Sequence, residues 1–208
     1  MPRGSFFSAA EPHLVEWTQE LDASIPDLFP AFVDGSAASR LRLQPSELTG
    51  NGIAVADGIR IGADTPIGLY FGSVCTTCPS DEYAFALRPF RFEKAVYELV
   101  VDAGAYCRRA NPLPINAALF NHACRERTAK LGWNGHSTLP CVVAYAARDL
   151  VGGEALVYNY DSDLADRGYT LGRAEKDFLR ERGLAVHPCA CRGNAPCPRD
   201  RWFRNYHG

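Results

Sequence analysis

Four of the eight cysteines in this chain have spacing that suits a metal ion. Cys189, Cys191 and Cys197 form a tight trio near the C-terminal end, with Arg192-Gly193-Asn194-Ala195-Pro196 between the last two. Cys124 stands far upstream, as the last residue of Asn121-His122-Ala123-Cys124. Thiolate sulfur suits zinc, which takes four ligands in tetrahedral geometry at roughly 2.3 Å from each sulfur. Cys189 and Cys191 are too close for a comfortable disulfide, yet both can reach one ion. The trio leaves one ligand to find, and Cys124 is the first candidate. Cys75-Thr76-Thr77-Cys78 also has metal spacing; that pair either completes the site or is an unrelated pair of thiols. If the two ends of the chain meet, the metal ties the tail over Asn121 and His122.

Other candidates are weaker taken singly. Gly50-Asn51-Gly52 lies between extended pieces and reads as a turn, where glycine permits positive φ and a close backbone approach to a ligand. A lone histidine such as His122 is more often a hydrogen-bonded core residue than a catalyst. Tyr158 and Tyr160 fall on one strand face, because strand side chains repeat every two residues.

The elements that must position these residues are mostly short strands. A helix is expected over His13 to Leu21 after Glu11-Pro12, followed by a Pro/Asp turn and an apolar patch from Leu28 to Val33. Strand patterns follow at Leu41-Arg42-Leu43, Ile53 to Ala56, Ile59 to Ile61 and Ile67 to Gly72, separated by Gly- and Pro-containing turns. Tyr83 to Leu87, Phe90 to Phe92, Tyr97 to Val101, Cys141 to Ala147 and Ala155 to Tyr160 are further extended pieces. Asn116 to Cys124 reads as short helical or irregular, and Leu164 to Leu184 as a charged helical insertion. Together these predict a compact, mainly β fold with helical additions.

Composition bounds the partners. At 208 residues the chain supports one substantial core, and no apolar run approaches the roughly 20 residues of a membrane span. Neither a membrane nor a signal peptide is expected, so an intracellular location, cytoplasmic or nuclear, with reduced cysteines follows. Basic residues number 22 against 24 acidic, a balance that argues against a broad grip on nucleic acid. A local acidic groove could still hold a basic peptide. Cys107 and Cys141 lie among apolar or small neighbours and read as buried small hydrophobes.

In order along the chain, several segments resemble the SET-domain family of protein lysine methyltransferases with a C-terminal post-SET zinc knuckle. Gly50-Asn51-Gly52-Ile53 is similar to its first Gly-x-Gly motif, Tyr70-Phe71-Gly72 to its Tyr-x-Gly strand, and Asn121-His122-Ala123-Cys124 to Asn-His-Ser-Cys. Arg148 to Tyr160 is similar to Arg-Asp-Ile-x-x-Gly-Glu-Glu-Leu-x-Phe/Tyr-Asp-Tyr, and Cys189-x-Cys191-x5-Cys197 before Trp202-Phe203 to the post-SET element. The resemblance implies an N-terminal extension over 1–38 and a SET domain over 39–162 with a variable insert near 76–114. It further implies a helical insertion over 163–187 and a zinc-bound tail over 188–208. The family fold is a β-clip of small curved sheets in which the Asn-His segment forms a pseudoknot.

By the same resemblance the cofactor is S-adenosylmethionine, with its methionine end at Gly50, Asn51 and Gly52, and its amino and adenine groups at Asn121 and His122. Trp202 or Phe203 would stack on the adenine. Tyr160 would orient the acceptor amine, Tyr70 would help build the lysine channel, and Tyr158 would bias the outcome to monomethylation. Zn2+ would sit on Cys124, Cys189, Cys191 and Cys197. The expected partner is a lysine-containing protein, a histone among the candidates, and no direct nucleic-acid contact is expected. The chain departs from the family pattern at Leu69, Ala118, Leu119, Ala155 and Asn159, several of which replace charged residues. A small-molecule acceptor on the same scaffold, or a silent zinc-stabilised interaction module, are therefore the alternatives. Metal analysis of the purified chain should find about one zinc per molecule; a folded, metal-free preparation would overturn the zinc reading.

Overall fold

The structure, a computed structural model, describes residues 5–46, 50–76, 83–87, 90–92, 95–97, 99–123, 126–133 and 141–159. The expected insertion at Leu164 to Leu184 and the cysteine-rich tail lie outside these residues.

The chain opens with β1 (Ser8–Ala9) and a 3-10 turn over Pro12–Leu14 that leads into α1 (Val15–Leu28). Leu14, Trp17, Leu21 and Ile25 recur at helical spacing and are all buried. The helix thus continues past Leu21, where the sequence pattern placed its end, and Pro26 does not stop it. Proline lacks the N–H that would bond the carbonyl four residues back, but burial of Leu21 and Ile25 holds the last turn in place. Pro30 is what ends α1. Phe29, the residue before it, is driven out of helical conformation (φ −142°, ψ 67°), and α2 (Pro30–Val33) starts afresh with proline at its first position. A further single turn, α3 (Ser36–Ser39), completes this helical face.

The strands follow in quick succession: β2 (Leu41–Ser46), β3 (Gly50–Val55), β4 (Arg60–Ile61), β5 (Pro66–Tyr70), β6 (Ser73–Cys75), β7 (Ala84–Ala86), β8 (Phe90–Phe92), β9 (Ala95–Tyr97) and β10 (Val100–Asp102). After α4 (Gly104–Cys107) and a 3-10 turn at Ala117–Leu119 come β11 (Asn121–His122), β12 (Ala129–Trp133), β13 (Val142–Ala146), β14 (Leu150–Val151) and β15 (Val157–Tyr158). They assemble into small sheets, ordered β1-β6-β10-β7, β12-β13-β5, β2-β3, β4-β14, β8-β9 and β11-β15. The fold is mainly β, built of small sheets with few helices, as the strand patterns predict.

One expectation is corrected. Gly50-Asn51-Gly52 is not a turn: it is the first half of β3, paired in antiparallel register with Gln44, Pro45 and Ser46. Neither of its glycines is among the residues with positive φ. Strand β12, whose alternation of Ala129, Lys130 and Leu131 is a readable signal, was absent from the sequence reading. Strand β13 carries the apolar run Val142-Val143-Ala144 because it is the middle strand of its sheet, buried on both faces.

The first helix shares one core with these sheets. Phe7, Trp17 and Leu21 join Ile53, Leu69, Phe120, Val143 and Tyr158 in a single buried cluster. Strand β1 adds parallel to β6, with Ser8 opposite Ser73. Just before it, the N–H groups of Phe6 and Phe7 donate to Asp22 Oδ1 at 2.9 and 3.2 Å, fastening the strand to α1. Burial pushes the Asp22 carboxyl above its ordinary value, against the lowering pull of Ser5 and these N–H groups. Among the described residues no helix is long and apolar enough to cross a membrane. Leu21→Ala should lower the unfolding free energy by about 3 kcal/mol in a urea titration, because it opens a cavity under α1; a loss typical of a surface site would detach α1 from the core.

Candidate active site

Three segments distant in sequence converge on one place. The Asn121–His122 strand runs parallel to Val157–Tyr158, with Asn121 opposite Val157 and His122 opposite Tyr158. The Asn121 N–H donates to the Leu156 carbonyl at 3.3 Å and the Ala123 N–H to the Tyr158 carbonyl at 3.0 Å. The third segment is β3. Leu156 N–H donates to the Ile53 carbonyl at 2.7 Å and Val55 N–H to the Glu154 carbonyl at 2.9 Å, so residues 153–156 lie along the edge of β3 opposite β2. Residues 153–158 thereby bond β3 first and the Asn-His strand next.

Gly52 is what lets the layers meet. A Cβ on Gly52 would lie 2.6 Å from Asn121 Nδ2, closer than real side chains come, so the space that a side chain would fill holds the Asn121 amide. The close approach at Gly52 is made by a side chain of the chain itself. Gly68 plays a similar part in β5, where a Cβ would lie 2.8 Å from the Phe120 ring. Phe120 is fully buried and immediately precedes Asn121, so its ring seats the start of the strand against β5.

Two polar residues that the sequence reading missed hold this junction. Asn116 is 1% exposed; its Nδ2 donates to the Phe71 carbonyl at 3.2 Å and its Oδ1 accepts from Ala118 N–H at 3.1 Å. It therefore joins the end of β5 to the 3-10 turn that leads into Asn121. Thr128 is also buried, and its hydroxyl donates to the Ala155 carbonyl at 2.8 Å while accepting from Val157 N–H at 2.8 Å. The Thr128 N–H donates to the Val157 carbonyl at 3.1 Å. Neither residue belongs to a spacing pattern, so only the fold reveals them. The charged pair of the 148–160 motif is structural as well: Arg148 donates to Glu154 at 3.0 Å, and Glu154 accepts from Val151 N–H at 3.1 Å.

His122 and Tyr158 are buried at 1% and 5% exposure, and Asn121 is part-buried. Tyr70, also buried, pairs with Val142 in the β13-β5 sheet and packs its ring 5.1 Å from that of Phe85. Gly50 and Asn51 lie in β3 beside Gly52. Tyr160, Trp202, Phe203 and all four cysteines assigned to zinc, Cys124, Cys189, Cys191 and Cys197, lie outside the described residues, as does Cys78. Cys75 is buried, with its thiol toward the Val100 carbonyl at 3.6 Å. Cys107 and Cys141 are buried as expected, and burial pushes the Cys141 thiol up to about 12. Among the described residues no group of three His, Cys, Asp or Glu side chains is arranged to hold a metal.

No family model and no curated protein matches the chain. Among solved structures it is similar in part to KRYPTONITE. A crystal structure of KRYPTONITE in complex with mCHG DNA and SAH matches at 25% identity over 65% of this chain and 25% of that chain, with a TM-score of 0.46. A second, in complex with mCHH DNA, H3(1-15) peptide and SAH, matches at 24% identity over 76% of this chain and 28% of that chain, with a TM-score of 0.48. The chain thus spans about a quarter of the KRYPTONITE chains. Both of those crystals contain DNA, and the expectation that nucleic acid is no partner is not borne out by them.

Thr128→Val removes the hydroxyl that bridges Ala155 and Val157 and leaves the buried Val157 N–H without its acceptor. It should cost about 1–3 kcal/mol in a denaturant titration; a neutral effect would mean that the hydroxyl does not hold the junction.

Proposed function

We propose that this chain is an S-adenosylmethionine-dependent methyltransferase of SET type whose acceptor is a protein lysine. The observation that carries this reading is the meeting of Gly52, Asn121-His122 and Val157-Tyr158 in one hydrogen-bonded junction, since these are three of the segments that resemble the family. The residues present suit such a cofactor. Asn121 offers a part-buried carboxamide held against Gly52, and His122 a buried imidazole on the same short strand. When bound, S-adenosylmethionine supplies an electrophilic sulfonium methyl.

What the chain itself must do is align the acceptor and keep water out, because an in-line displacement gains most from orientation. A lysine of pKa near 10.4 arrives neutral at a cost of roughly 4 kcal/mol at pH 7.4. An apolar channel reduces that cost by disfavouring the ammonium form. Buried Tyr70 and Tyr158 are suited to line such a channel. Tyr160 follows two residues beyond Tyr158 and is assigned to orient the amine, and a tyrosine at 158 leaves less room around it, which biases the outcome to monomethylation.

Zinc on Cys124, Cys189, Cys191 and Cys197 fits as a donor set of four thiolates. Ala123, the neighbour of Cys124, is buried and bonded to the Tyr158 carbonyl, so a metal there would brace the Asn-His strand from its far end. A second reading, a small-molecule acceptor, draws on Leu69 and Ala118. Both stand where the family carries charge, and both are buried at 0% and 8% exposure.

Labelling a cell extract and purified histones in parallel with tritiated S-adenosylmethionine should put label on protein. Label on a small molecule alone would select the second reading, and no label with either would overturn the enzyme. Tyr160→Phe should reduce methyl transfer far more than it weakens cofactor binding, as followed by calorimetry; equal turnover would remove Tyr160 from its role.

A further inference from the structure

We propose that the Gln44 carboxamide is a ligand-binding group of this same site, beside Asn121, directed at the amino-acid end of the bound cofactor. The proposal rests on the S-adenosylmethionine reading above.

Gln44 lies in β2 directly opposite Gly52 in antiparallel register. Residues so paired send their side chains to the same face of the sheet, with Cβ positions about 5 Å apart. On Gly52 that face is occupied by the Asn121 amide, 2.6 Å from where a Cβ would stand. Gln44 and Asn121 therefore share one face, on either side of a residue that has no side chain. The Gln44 Oε1 atom is buried and has no hydrogen-bond partner among the described residues. Buried side-chain acceptors in folded proteins nearly always have a donor, so an exception beside a candidate binding residue calls for one.

Arg42 is the neighbouring polar side chain on this face of β2. Its Nε is likewise buried without a partner among the described residues, but it stands opposite Ala54, two register pairs away from Gly52. Its guanidinium also has a charged partner in Asp57, at 3.6 Å. Gln44 Oε1 has no partner among the described residues, and Gln44 is the residue that faces Gly52.

A carboxamide is suited to a zwitterion. Its oxygen accepts from an ammonium and its NH2 donates to a carboxylate, and the group can turn over to present either. S-adenosylhomocysteine and S-adenosylmethionine end in such an α-amino acid, whereas 5′-methylthioadenosine has the same nucleoside and sulfur without it.

Calorimetry on the full chain should compare S-adenosylhomocysteine with 5′-methylthioadenosine for wild type and Gln44→Met, a variant of similar length without the amide. The variant should bind S-adenosylhomocysteine about tenfold more weakly, the loss expected for one hydrogen bond to a charged group. Its affinity for 5′-methylthioadenosine should stay within about twofold of wild type. Its thermal midpoint should stay the same or rise, since the Gln44 Oε1 has no hydrogen-bond partner among the described residues. Gln44→Leu is read in the same way if the methionine variant does not fold. Unchanged S-adenosylhomocysteine affinity would overturn the role of Gln44 and leave the cofactor site standing. Equal weakening for both ligands would overturn it too, by marking the residue as structural. Failure of folded wild type to bind S-adenosylhomocysteine would overturn the site and the proposal together.

Discussion

Asn121 and His122 are held by a parallel pairing only two residues long, and such a ladder cannot support itself in water. Each of its hydrogen bonds contributes on the order of 1 kcal/mol net, far less than the cost of ordering the chain around it. The strand therefore exists because its surroundings leave no alternative. Thr128 bridges Ala155 and Val157 from one direction, and β3 holds residues 153–156 from another. Behind them the Phe120 ring rests on Gly68, and Asn116 ties the approach to the Phe71 carbonyl. Two glycines and two buried polar side chains, all outside the strand, set where Asn121 and His122 lie.

The same arrangement sets the environment of the candidate site. His122 and Tyr158 are buried because the junction is covered on every side that the described residues supply. In such surroundings charge is costly and hydrogen bonds are strong, which would suit the proposed transfer to a neutral amine. The helical face contributes from a distance. Helix α1 closes the core from which the sheets are built, and β1 lengthens one sheet, so residues 5–37 are structural parts of the core around the site.

The departures from the family pattern take on physical content in this setting. Leu69 and Ala118 are buried, and Leu69 also donates its N–H to the Ile115 carbonyl at 2.9 Å, so these positions belong to the packing of the core. Ala155 is exposed, and its carbonyl is the acceptor for Thr128, a role any side chain at that position permits. At Leu69, Ala118 and Ala155 the backbone hydrogen bonds around the junction are in place.

Much of the fold was readable from residue pattern. Alternating and β-branched runs mark β2, β5, β13 and the strand ending at Tyr158, and the apolar neighbours of Cys107 and Cys141 mark their burial. Local information determined those features, because the periods of strand and helix are properties of the chain itself. It misjudged α1, whose end depends on a proline beyond the one that looked decisive, and β3, where Gly50-Asn51-Gly52 reads as a turn. Glycine signals freedom in a sequence, and only tertiary contact reveals that Gly52 is small because Asn121 occupies its side-chain space. Asn116, Thr128 and Gln44 were silent for the same reason, since a polar residue acquires its role from register and from partners far along the chain. The sequence by itself determined which residue types could do chemistry and in what order they occur; the tertiary structure decided which of them meet, because pairing register between distant strands is written in no single segment.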